Sequence, residues 1–135
     1  MIHQKDLRLG DLVQITEDLL EYKQGDTFVV IDISEDYIGL RSPDKSDGRP
    51  DMYTIGDYIE GVPLTPEILE KSGWELEYYA PIIYGHVGHG IEISLSKTIK
   101  RHSVFFNDVP LCEIQYVHQL QHILWALGED ANLTI

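Results

Sequence analysis

One stretch near the C-terminus constrains this chain more than any other: Tyr116-Val117-His118-Gln119-Leu120-Gln121-His122-Ile123-Leu124-Trp125-Ala126-Leu127-Gly128. Val117, Leu120, Leu124 and Leu127 recur at intervals of three and four, which puts them on one face of a helix. Gly128 follows directly and can adopt the left-handed conformation that ends a helix. The spacing predicts the main core helix here, with strands packed on its apolar face.

Almost everything before it reads as short strands. Val13 and Ile15 share a face at period two after the Gly10-Asp11 turn. Thr27 to Ile33 is rich in β-branched residues and returns through Ser34-Glu35-Asp36 to Tyr37–Arg41, which predicts a hairpin. Ser42 to Asp51 is polar and reads as a loop, and Met52–Ile55 resumes a strand. In the second half, Trp74–Tyr78 and Ile91–Ser96 alternate, Pro81–Tyr84 extends the sheet, and Gly85–Gly90 reads as a loop. Ser103–Phe106 and Leu111–Ile114 flank an Asn107-Asp108 turn. The tail through Leu133 and Ile135 reads as a short last strand. Thr65-Pro66-Glu67 opens a short helix, with a capping hydroxyl, a proline at the first helical position and an acid at the positive end of the dipole. Gly73 closes it. The fold class is therefore α+β. Residues 1–62 are expected to form a small, bent, antiparallel SH3-like sheet, and residues 63–135 an α+β subdomain, the two packing as one unit.

Charge narrows the partners. Ten Lys and Arg against 23 Asp and Glu leave a net charge of −13. Such a field repels nucleic acid and anionic membranes, and the cluster Lys97, Lys100, Arg101 is too small to offset it. The expected partner is another protein, with homo-oligomerisation compatible with the sequence; an acidic mimic of nucleic acid is a further reading. The single cysteine, Cys112, forms no internal disulfide and suggests a reducing, cytoplasmic setting. Apolar runs are too short to span a bilayer.

Chemistry has few places to reside. His86 and His89 lie in the glycine-rich loop with Glu92 close behind, a spacing that could complete a three-ligand metal set. His118 and His122 stand one helical turn apart, but Gln119 occupies the place of the metalloprotease glutamate. The glycine-rich loop lacks the Lys-Ser/Thr ending of a phosphate loop, and no helix follows it. No Gly-x-Ser-x-Gly elbow occurs. Cys112 paired with His118 is the remaining nucleophile arrangement, yet Leu111 and Ile114 beside it point to a buried, inert thiol. The aromatics of the second half are expected mainly to pack core and surface, with an aromatic groove lined by Tyr79 and Tyr84 as the alternative.

The run Tyr-Val-His-Gln-Leu-Gln at 116–121, the turn Leu7-Arg8-Leu9-Gly10-Asp11 and the segment Pro63-Leu64-Thr65-Pro66-Glu67 through Gly73 resemble small proteins common in Bacteroidetes genomes, phages and mobile elements. Those proteins usually end in Leu-Thr-Gly-Glu-Glu-Leu where this chain has Leu127-Gly128-Glu129-Asp130-Ala131-Asn132-Leu133. The resemblance implies a cytoplasmic protein and carries no activity and no functional residue. The sequence thus points first to a non-enzymatic binding or adaptor protein without a cofactor, contacting its partner through Gln115, His118, Gln119 and His122. A metal-dependent enzyme built on His86, His89 and Glu92, or on His118 and His122, is the alternative.

Overall fold

The computed structural model describes residues 2–44, 48–86, 88–96 and 100–135. The fold is α+β, with two five-stranded antiparallel sheets and two α-helices. Backbone contacts divide the chain into two compact units, Met1–Val62 and Pro63–Ile135.

The first unit holds β1 (Leu12–Ile15), β2 (Thr27–Ile33), β3 (Ile38–Arg41), β4 (Met52–Thr54) and β5 (Ile59–Gly61), in the order β4-β3-β2-β1-β5. Its core follows from strand alternation: Val13, Ile15, Phe28, Val30, Ile38, Leu40, Met52 and Ile59 are buried together with Ile2, Leu7 and Tyr22. The Tyr22 ring meets Phe28 edge-on at 4.8 Å, and its hydroxyl donates to the Pro50 carbonyl at 2.6 Å. A carboxylate buried in this unit is satisfied locally, Asp11 Oδ2 accepting from the Arg8 N–H at 2.8 Å. Gly39 lies flat beneath Tyr53: a Cβ there would come within 2.9 Å of both the Tyr53 ring and the Asp32 Cβ. The polar loop expected over 42–51 is bridged at its base, where Arg41 donates twice to Asp51, at 3.0 and 2.9 Å. That ion pair holds the Asp51 carboxyl below its ordinary range and raises the guanidinium. Residues 45–47 of that loop lie outside the described residues, as do Val87 and Lys97.

The second unit holds α1 (Pro66–Lys71), β6 (Glu75–Tyr79), β7 (Ile82–His86), β8 (Ile91–Leu95), β9 (His102–Phe106), β10 (Val109–Ile114) and α2 (Val117–Ala126). Its sheet is a simple meander, β10-β9-β8-β7-β6. Leu69, Tyr84, Ile91, Ile93, Leu95, Val104, Ile114, Val117, Leu120 and Leu124 supply the core. The N-terminus of α1 is capped as its sequence predicts, the Thr65 hydroxyl accepting from the Ile68 N–H at 3.4 Å. Gln119 performs the same service for α2, its carbonyl oxygen accepting from the N–H groups of Gln115 (2.7 Å) and Tyr116 (3.0 Å). Asn107 and Asp108 both take positive φ, as a two-residue hairpin turn demands.

Three expectations change. Gly85 and His86 belong to β7 rather than to the loop, since Gly85 pairs with Glu92 and His86 with Ile91. The tail forms no strand among the described residues. Side chains hold it instead: Gln121 Nε2 donates to the Ala131 carbonyl at 3.2 Å, and the Thr134 N–H donates to Ser72 Oγ at 2.9 Å. Cys112 is exposed, because β10 closes the sheet edge and its residues from Val109 to Glu113 all face solvent.

Candidate metal centre

The end of β7, the turn after it and the C-terminus of α2 bring three metal-ligating side chains together. Period-two alternation puts His86 on the face it shares with its cross-strand partner Ile91, which is buried. Behind it, Trp74 is buried just ahead of β6 and stacks on the imidazole, with ring centroids 4.8 Å apart and planes 22° apart. The turn returns His89 over His86, its N–H donating to the His86 carbonyl at 3.1 Å and the two imidazoles stacking at 4.3 Å.

The third group comes from far along the chain. Gly128 takes φ +75° and ends α2. The chain reverses there, the Glu129 N–H donating to the Leu124 carbonyl at 2.8 Å. This turn aims the Glu129 carboxylate at the imidazoles, where Oε2 lies 2.6 Å from His89 Nδ1. One ligand atom from each of His86, His89 and Glu129 falls within 4.8 Å of the others, the one such grouping of three among the described residues.

The donor set defines the chemistry. Two imidazoles and one carboxylate suit zinc and neighbouring first-row divalent ions; calcium and magnesium prefer all-oxygen shells. Donors on one tetrahedral zinc, each at ~2.0–2.1 Å, lie roughly 3.4 Å apart, so the atoms spaced by up to 4.8 Å must close and the His89–Glu129 pair, at 2.6 Å, must open. The surroundings favour the form a metal needs. Burial, and then the neighbouring His89, push the His86 pKa below the ordinary 6.5, against the opposing pull of Glu129 and Asp130. A proton therefore competes poorly for that nitrogen. The site opens to solvent on the His89 side, where the side chain is 41% exposed, leaving room for a water as fourth ligand.

No known protein family matches this chain, and no curated protein or solved structure matches it. The site therefore rests on its own geometry.

Of the residues singled out from sequence, His86 and His89 meet and Glu92 does not join them. Glu92 is next to Ile91 in β8, so it faces the opposite side of the sheet, where its carboxyl shares a hydrogen bond with Glu77. That bond, followed by desolvation and the charge of Glu77, raises its pKa. Glu129 takes the place expected for Glu92. The only local hint of it was a glycine followed by an acid at a helix end. Trp74, read as part of a strand, instead backs the site.

The stripe on α2 is not a solvent face. His118 is buried; Gln115, Gln119 and His122 are half-buried. The two histidines join a run of rings along the helix, Tyr116 to His118 at 5.8 Å, His118 to His122 at 5.7 Å and His122 to Trp125 at 5.7 Å. Tyr79 and Tyr84 do not form a groove: Tyr79 is 81% exposed, whereas Tyr84 is buried. The Tyr84 hydroxyl donates to Glu70 Oε1 at 2.7 Å, and burial with that bond pushes its pKa up to about 12.

Proposed function

We propose that this protein is a divalent transition-metal binding module, with zinc as the favoured ion. His86, His89 and Glu129 are the ligands and Trp74 is the wall that orients His86. The convergence of two stacked imidazoles and a carboxylate drawn from a distant helix end carries this reading. Bound metal would tie the β7–β8 turn to the segment that follows α2. The single cysteine supports a reducing, cytoplasmic setting. The solvent exposure of His89 supports a second reading: a zinc held by these three residues would supply Lewis-acid activation of water for hydrolysis.

Calorimetric titration of the purified protein with zinc chloride tests the first reading. One ion per chain is expected, with His86→Ala, His89→Ala and Glu129→Gln each weakening binding by about tenfold or more. The double variant His118→Ala/His122→Ala, which leaves the three ligands in place, should bind as the parent does. Undiminished binding in a His86→Ala/His89→Ala double variant would sink the proposal. Zinc-dependent turnover of p-nitrophenyl acetate, lost with Glu129→Gln, separates the hydrolytic reading from simple binding.

A further inference from the structure

The second sheet ends in β6 on one side and β10 on the other, each paired with a single neighbour. The two edges are built differently. In β10, Pro110 lacks an N–H and the register shifts between Pro110 and Cys112, which blunts that edge against another strand. β6 contains no proline, and Glu75, Glu77, Tyr78 and Tyr79 are all exposed along it. Tyr78 is 60% and Tyr79 81% exposed, an uncommon amount of aromatic surface to leave in water. At the end of this strand Tyr79, Ala80, Pro81, Ile82 and Leu95 line an open, predominantly apolar pocket of about 260 Å³.

Charge selects what fits there. Glu75 and Glu77 lie on the strand itself. The bulge between Leu76 and Tyr78 lays the Glu77 carboxylate over Gly85 and against Glu92. Glu75 beside these two hydrogen-bonded carboxyl groups leaves an acidic surface that a cationic partner would complement. A second copy of β6 would set Glu75 and Glu77 against their own equivalents, which disfavours self-pairing.

We propose that the β6 edge accepts an extended, Lys/Arg-rich segment of another protein as a sixth strand. Backbone hydrogen bonds supply the pairing, alternate basic side chains meet Glu75 and Glu77, and one apolar side chain enters the pocket beside Tyr79. The proposal is independent of the metal centre, since it uses none of the three metal-ligating residues.

Fluorescence anisotropy with a labelled seven-residue peptide of alternating lysine and valine tests it on the full-length chain. The expected result is saturable binding, weakened about tenfold or more by each of three changes. These are Tyr79→Ser in the protein, Glu75→Lys/Glu77→Lys in the protein, and N-methylation of alternate peptide amides. All the altered side chains are exposed, and unchanged far-ultraviolet circular dichroism would confirm folding. Failure of the parent peptide to bind would overturn the proposal. So would equal binding of the N-methylated peptide, which marks simple charge attraction, or equal binding of a glutamate–valine peptide, which marks apolar adhesion.

Discussion

At the scale of single residues, position relative to a helix end or a strand face decides chemistry. Glu129 is one of 23 acids in the chain, and it differs from the others because Gly128 turns it back onto α2. Glu92 is three residues from His89 in sequence yet is kept from the His86–His89–Glu129 cluster by alternation across β8. His102 shows the same dependence on place. It is buried at the start of β9, and its Nδ1 accepts from the Ser96 N–H at 3.4 Å. Burial depresses its pKa below the ordinary 6.5, with a backbone bond to Leu64 opposing. A histidine whose folded pKa is depressed contributes stability that is complete above the unfolded value and lost as pH falls through the folded one. His102→Gln keeps an amide that can donate and accept but does not titrate. Urea denaturation between about pH 8 and about pH 5 should therefore show a shallower acid-side loss for this variant than for the parent.

At the scale of elements, α2 illustrates how much of a helix pattern is core. Leu120 and Leu124 are fully buried, and Val117 joins them. Leu124→Ala removes packing with no room to collapse and should cost about 2–5 kcal/mol of stability. Trp125→Ala, on the outer side at 37% exposure, should cost well under that. Thermal melts of the two variants check the difference. The helix also carries polar residues on its inner side: Gln121 is 2% exposed, and its amide is bonded to the Ala131 carbonyl. A buried amide is costly unless bonded, so Gln121 helps set where the tail runs and thereby where Glu129 sits.

At the scale of the whole molecule, the two units offer separate readouts. Both tryptophans, Trp74 and Trp125, lie in the second unit, and Trp74 stacks on His86, a ligand of the proposed site. Tyr22, Tyr37, Tyr53 and Tyr58 lie in the first. Zinc at about 100 times its dissociation constant stabilises the state that binds it by ~2.7 kcal/mol. Tryptophan-detected unfolding should move to higher urea on adding zinc, and His86→Ala should cut that shift to about half or less. An undiminished zinc shift in His86→Ala would place the bound ion elsewhere.

Composition, periodicity and turn chemistry determined the α+β class, most of the strands, both helices with their stop signals, and the Asn107-Asp108 hairpin. Each of these depends on neighbours within a few residues, which sequence spacing reports directly. The tertiary structure alone decided which polar residues meet. Glu129 replaced Glu92 because side-chain alternation and a helix-terminal reversal act over different ranges. His118, one of the four proposed contact residues, turned inward because the buried side of α2 is wider than its apolar stripe. Cys112 turned outward because strand order put β10 at an edge. Strand order and chain reversal are set by the packing of the whole unit, and no local pattern of residues encodes them.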